Sequence, residues 1–245
     1  MTMTLDESGS MMGRRPLLLG HRGSRRRGFR RIVSKTPVEN SLDALEYALS
    51  QGCDGFEFDV RYTRDGRNVL WHDPKFNGRE VATTDYTELT ARDGSCLPNL
   101  EEVLQRFGQR AYLDVELKVD GREEAIVAAL RRSPPQRGHM VSSFLPEALL
   151  RLHDIDGQIP LGYICERDDL LDRWQELPIQ VFLPQHDLVQ SQLVEEVHQR
   201  GLQIMTWTVN SDRRMRKLAS WGVDGLISDD PQLLVRTLGG GRPHQ

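Results

Sequence analysis

The chain has 245 residues, 38% hydrophobic and 28% charged, which suits a globular protein with a sizeable core. Its formal net charge of −4 argues against a general nucleic-acid binder. The cysteines Cys53, Cys96 and Cys165 are odd in number and widely spaced, so they form neither a disulfide framework nor a CxxC metal pair, and they point to a reducing compartment.

The start, "MTMTLDESGSMMGRRPLLLG", lacks the order of basic end, long apolar stretch and small-residue site that marks a signal peptide. No apolar run approaches the ~20 residues of a membrane span. The expectation is a cytoplasmic protein with a flexible start over 1–13, one domain over 14–237 and a flexible end over 238–245. Short apolar runs then recur along the chain: "RPLLLG", "CDGFEFDV", "AYLDVELKV", "HMVSSF", "IPLGYI", "IQVFL", "LQIMTWTV" and "VDGLIS". Segments of helical period separate them: "SLDALEYALSQG", "LPNLEEVLQRFG", "EEAIVAALRR", "PEALLRLHD", "DDLLDRWQEL", "SQLVEEVHQRG" and "DRRMRKLASWG". Strands alternating with helices in this way predict parallel βαβ units, and a single-domain α/β (β/α)₈ TIM barrel before a doubly wound open sheet. Neither a G-x-G-x-x-G nor a Walker-type glycine loop follows the first strand, which weakens the nucleotide-binding form of the open sheet.

The stretch "GFEFDVRYTRDGRNVLWHD" (55–73) carries the first chemical signal. Side chains two apart on a strand share a face, so Phe56, Phe58 and Val60 should face the helices. Glu57 and Asp59 should then face the barrel interior, near the carboxyl end where barrel active sites lie. The third strand repeats the pattern, with Leu113, Val115 and Leu117 alternating with Asp114, Glu116 and Lys118. Glu57, Asp59 and Glu116 make an all-oxygen set suited to a hard divalent cation, Mg²⁺ or Ca²⁺. The alternative is a salt-bridged interior with Lys118 and Arg22 as counter-ions. His21 and His72, each at a strand end beside these acids, are candidates for a general acid and base, while Arg22 and Lys118 suit an anionic phosphate. Together they suggest metal-assisted phosphoryl chemistry.

The motifs "HRG" (21–23), "PVENS" (37–41), "GFEFDVRYTRDG" (55–66), "WHDP" (71–74), "LPNLEEVL" (97–104), "LDVELK" (113–118), "SSF" (142–144), "TWTVN" (206–210) and "DGLISDDP" (224–231) occur in that order. As a set, from about Leu17 to Pro231, the chain resembles the glycerophosphodiester phosphodiesterase family. That resemblance implies a (β/α)₈ barrel that hydrolyses a glycerophosphodiester to glycerol 3-phosphate and an alcohol, with a Mg²⁺ or Ca²⁺ requirement. By the same resemblance His21 and His72 are catalytic and Glu57, Asp59 and Glu116 hold the metal. Arg22 and Lys118 bind phosphate, Trp207 lines the pocket, and Glu39 is a supporting acid, with helix capping as its other reading.

Two stretches depart from the family pattern. "SRRRGFRRIVSKT" (24–36) holds five arginines and Lys35 where the family is usually short, and reads either as a solvated loop or as a transient contact with an anionic headgroup or membrane surface. The segment after His72, "PKFNGREVATTDYTELTARDGSCLPNL", is compact and leaves the headgroup open. A lysophospholipase D-like activity, a metal-dependent lyase or isomerase, and a non-catalytic phosphodiester-binding barrel are the rival readings on the same scaffold.

Overall fold

Strands that bury an apolar row on one side, spaced by helices with a single apolar face, have one economical packing: a closed sheet inside a ring of helices. The computed structural model describes residues 15–24, 37–90, 94 and 96–240. The expected flexible start over 1–13, residues 241–245 of the expected flexible end over 238–245, and the arginine-rich loop over 25–36 lie outside the described residues. The strands are β1 (Leu17–Gly20), β2 (Gly55–Tyr62), β3 (Asn68–Leu70), β4 (Lys75–Phe76), β5 (Arg79–Glu80), β6 (Tyr112–Leu117), β7 (His139–Ser143), β8 (Leu161–Cys165), β9 (Val181–Pro184), β10 (Gln203–Thr206) and β11 (Gly225–Ser228). The helices are α1 (Leu42–Ser50), α2 (Leu100–Phe107), α3 (Glu123–Arg132), α4 (Pro146–Ile155), α5 (Ser191–Gln199), α6 (Asp212–Ser220) and α7 (Pro231–Leu238).

Strands β1, β2 and β6 to β11 pair in parallel, and the pairing of β1 with both β2 and β11 closes the barrel. β3 adds antiparallel to β2, placing Val60 opposite Leu70. β4 and β5 form a separate small hairpin. All eight expected barrel strands are present. No described helix is long and apolar enough to cross a membrane.

Two apolar layers hold the barrel. Outside it, Phe56, Phe58 and Val60 are fully buried in one cluster with Leu45, Ala48, Leu104 and Phe107, and the Phe56 and Phe107 rings meet edge-on at 5.1 Å. Side chains of this size each contribute about 1.5–3 kcal/mol when removed from water. Inside it, Leu19, Met140, Ile164, Val181, Met205 and Ile227 fill the interior. β2 contributes no side chain to that inner cluster and β6 only Tyr112 at its start, because nearer the mouth their inward positions are the acids Glu57, Asp59, Asp114 and Glu116.

Helix starts follow the local chemistry. Ser41 caps α1 by accepting from the Ala44 amide at 3.1 Å, and Asn99 with Glu102 forms a reciprocal capping box on α2. Two expectations need correction. "DDLLDRWQEL" winds into 3₁₀ turns over Asp168–Glu176, buries only Trp174 fully, and so lacks the long apolar face that sustains an α-helix. After β11, where no helix is expected, α7 forms with Pro231 in its first turn and Asp230 accepting from the Leu233 amide at 3.0 Å.

Candidate active site

The chain leaves β1 through a tight turn that decides where its basic side chain goes. Arg22 adopts φ 51° and Gly23 φ 77°. A Cβ on Gly23 would lie 2.4 Å from the Ala44 carbonyl carbon, so only glycine lets α1 pack this closely against the turn. The Arg22 amide donates to Glu57 Oε2 at 2.9 Å, and the Arg22 side chain, 5% exposed, turns inward instead of reaching solvent. Its Nη1 bonds Glu39 Oε1 at 2.8 Å, and its Nε lies 3.0 Å from Asp59 Oδ2.

The parallel register of β2 and β6 sets Glu57 beside Asp114 and Asp59 beside Glu116. Four carboxylates therefore converge in the buried mouth, and ligand oxygens of Glu57, Asp59 and Glu116 lie within 4.8 Å of one another. Lys118 Nζ meets Asp59 Oδ1 at 2.9 Å and also contacts Glu116. Asn40, held at φ 59°, donates from Nδ2 to Asp59 Oδ2 at 2.7 Å and accepts from the Asp59 amide at 3.1 Å.

These partners split the acids into two electrostatic groups. Burial would raise Asp59, but Lys118, Arg22 and Asn40 outweigh it and hold its carboxyl at about 2. Burial together with the charges of Asp59 and Glu116 pushes Glu57 well above the usual carboxylate range. Burial also lifts Glu116 to about 7, against the pull of Lys118. Asp114 rises to about 8, again through burial, although Ser142 Oγ donates to its Oδ1 at 2.6 Å. Glu57 Oε1 and Asp114 Oδ2 are buried with no hydrogen-bond partner among the described residues. Buried acids left short of positive charge, two of them with an orphaned oxygen, are what a hard cation would satisfy. The residues fit the metal reading, while the salt-bridged reading is realised around Asp59.

The two histidines are each backed by an aspartate. His21 Nδ1 lies 2.7 Å from Asp229 Oδ1, and its Nε2 lies 3.8 Å from Glu57 Oε2. Asn210 fixes Asp229 in turn, donating to Oδ2 at 2.8 Å and accepting from the Asp229 amide at 2.9 Å. His72 Nδ1 lies 2.7 Å from Asp73 Oδ1, and Arg61 Nε donates to the His72 carbonyl at 2.7 Å. Burial, with the nearby charge of Lys118, lowers the His72 pKa, against the pull of Asp59 and Asp73. An ionised carboxylate can only accept, so each Nδ1 carries a proton and each Nε2 is left for other partners.

His21, Arg22, Glu57, His72, Glu116 and Lys118 all border one cavity of about 430 Å³ at the carboxyl end of the barrel. Asp59 and Glu39 sit behind Arg22 and Lys118 and are not part of its wall. Trp207 borders the cavity from the opposite side, its Nε1 donating to the Leu183 carbonyl at 2.9 Å and its ring meeting Phe144 edge-on at 5.4 Å. His186, in the turn after β9, is not part of the wall.

Sequence reasoning misses several contributors. Asn40 reads as part of a helix cap, yet Ser41 does the capping and Asn40 grips Asp59. Asp229 and Asn210 fall inside quoted motifs without a role, because the pairing of Asp229 with His21 spans 208 positions. Asp114 shares its face with Glu116, which is a legible signal, and Phe144 and Glu166 border the cavity without any local pattern.

A (β/α)₈ barrel with two aspartate-backed histidines, buried carboxylates and paired cations at its carboxyl mouth has the residue set of a phosphoester-cleaving enzyme. The comparisons specify it further. The model of the glycerophosphoryl diester phosphodiesterase family matches residues 21–233. A glycerophosphodiester phosphodiesterase of Caldanaerobacter subterraneus subsp. tengcongensis is 27% identical, covering 89% of this chain and 96% of that protein. One from Bacillus altitudinis is 30% identical, over 81% of this chain and 91% of that protein. The structure of an Oleispira antarctica phosphodiesterase in complex with the product sn-glycerol-3-phosphate aligns with a TM-score of 0.77 at 25% identity, covering 92% of this chain and 98% of that one. The chain belongs to the glycerophosphoryl diester phosphodiesterase family and is an enzyme of the phosphodiesterase class.

Proposed function

We propose that the enzyme hydrolyses glycerophosphodiesters to glycerol 3-phosphate and an alcohol, using His21 and His72 as the acid–base pair. The observation that carries this reading is the convergence of both imidazoles, Arg22, Lys118, Glu57 and Glu116 on one cavity of about 430 Å³, a size suited to a small phosphodiester. The product bound to the Oleispira antarctica phosphodiesterase supports the substrate class.

In this reading Arg22 and Lys118 orient the phosphoryl oxygens, and their ion pairs with Asp59 keep both side chains extended toward the cavity. One histidine takes a proton through Nε2 from the attacking group, either a water or a neighbouring substrate hydroxyl whose attack gives a cyclic phosphate that water then opens. The other, entering as imidazolium, gives its Nε2 proton to the leaving alkoxide; the pair's total is unchanged, and exchange with solvent returns each ring to its starting state. Asp229 and Asp73 hold the two rings in the tautomer that makes this transfer geometrically direct. Glu57, Asp59 and Glu116 would hold Mg²⁺ or Ca²⁺. When bound, the cation supplies Lewis-acid polarisation of a phosphoryl oxygen.

The test is release of glycerol 3-phosphate from glycerophosphocholine and glycerophosphoethanolamine with Mg²⁺, Ca²⁺ or EDTA. Release that requires a divalent cation is expected. Absence of release with either metal would overturn the reading and bring lysophospholipids forward as substrates.

A further inference from the structure

The cavity wall is chemically divided. Its charged side comes from the ends of β1, β2, β3 and β6. The facing side is apolar, with Phe144, Ile164, Leu183, Trp207 and Ile227, and it carries one charged side chain, Glu166. Glu166 directly follows β8, at the carboxyl end of the barrel. It makes no ion pair or hydrogen bond among the described residues, whereas its neighbour Arg167 is committed to Asp169 through two bonds at 2.9 and 2.7 Å.

The aromatic residues point the same way. Lys118 Nζ stands 5.5 Å from the centre of the Phe144 ring, so that ring already faces a cation at the inner edge of the phosphate-binding region. Trp207 packs edge-on to Phe144 and is anchored through Nε1, which leaves a fixed, half-buried indole on the same wall. An aromatic pair and an uncommitted carboxylate bordering the same cavity make a site for an ammonium group. The ring faces attract the cation, and the carboxylate supplies opposite charge without demanding a hydrogen bond from a quaternary nitrogen.

We propose that Glu166, with Phe144 and Trp207, forms a headgroup subsite selecting glycerophosphodiesters with a cationic alcohol, choline or ethanolamine, over those with a neutral one. The proposal rests on the phosphodiesterase reading above. The phosphate lies against Arg22 and Lys118, and the amino alcohol extends across the cavity toward Glu166.

The experiment compares kcat/KM for glycerophosphocholine with that for glycerophosphoglycerol, in the wild type and in Glu166→Gln, with the divalent cation present. The wild type should prefer the choline diester. Glu166→Gln should reduce that preference by about three- to tenfold, mainly through KM, as expected for one partly exposed cation contact. Glu166→Lys should reduce it further. A preference ratio that is the same in all three proteins would overturn the proposal. If the wild type cleaves neither diester, the parent reading fails. The subsite is then decided by calorimetric titration with phosphocholine, which should bind more weakly to Glu166→Gln, and equal affinity would refute it.

Discussion

The two arcs of the barrel mouth are built from the same kind of element but hold it open in different ways. Strands β1, β2 and β6 bring in His21, Arg22, Glu57, Asp59, Asp114, Glu116 and Lys118, nearly all buried. The inward positions of β7 to β11 are instead aliphatic or hydroxylic, with Met140, Ser142, Ile164, Leu183, Met205 and Ile227. The apolar arc is stabilised by the packing that places it. The charged arc is a local liability that becomes stable only through pairing, since a buried charge without a partner costs several kcal/mol. Chemistry is therefore concentrated where the fold is electrostatically most strained, and the opposite arc provides a rigid wall.

The contrast can be broken most severely at the histidines. His21→Ala and His72→Ala should each lower kcat by about 100- to 10,000-fold while leaving the thermal unfolding midpoint nearly unchanged, checked by steady-state kinetics and calorimetry. Asp229→Asn, which leaves His21 in place but changes the acceptor on its Nδ1, should lower kcat by a smaller factor and reshape the pH profile. Near-normal turnover in both alanine variants would remove the acid–base assignment.

A substitution at Lys118 tests the cost of the charged arc directly. Lys118→Met leaves Asp59 with Arg22 and Asn40 alone and deprives Glu116 of its ion-pair partner. Urea unfolding should show a loss of about 3 kcal/mol, the scale of breaking a buried pair from one side. The loss should be largest above neutral pH, because removing the pull of Lys118 moves the Glu116 carboxyl higher still, so that it protonates already near neutrality.

The smallest expected effect sharpens the same comparison through pH. Glu57, Glu116 and Asp114 have raised pKa values in the folded protein, so without a cation the folded state holds more protons than the unfolded one. Stability then falls as pH rises from the ordinary carboxylate range through about 7 for Glu116 and about 8 for Asp114. Asp59 acts oppositely. Its contribution is complete above its unfolded pKa and is lost as pH falls through about 2. The EDTA-treated protein should show a falling midpoint across neutral pH, and added Mg²⁺ or Ca²⁺ should flatten that slope.

Strand and helix periodicity determined most of the architecture from sequence alone. Alternation in "GFEFDV" and "YLDVEL" places acids and hydrophobics on opposite faces, because side-chain direction on a strand depends only on the neighbouring residues. The same periodicity shows that Glu57, Asp59 and Glu116 can share the barrel interior. Local pattern was weaker over Asp168–Glu176, where a helical period is present but 3₁₀ turns form, and past β11, where α7 is marked by little more than an Asp-Pro cap. Tertiary structure alone decided which partners the charges take. Asn40 and Arg22 reach Asp59 only because a left-handed turn after β1 and another before α1 bring both inward. Barrel closure joins His21 to Asp229, and strand order brings Glu166 to the same cavity as Lys118. Such pairings depend on strand order and on backbone turns far apart in the chain, and a charged residue's own neighbours in sequence carry no record of them.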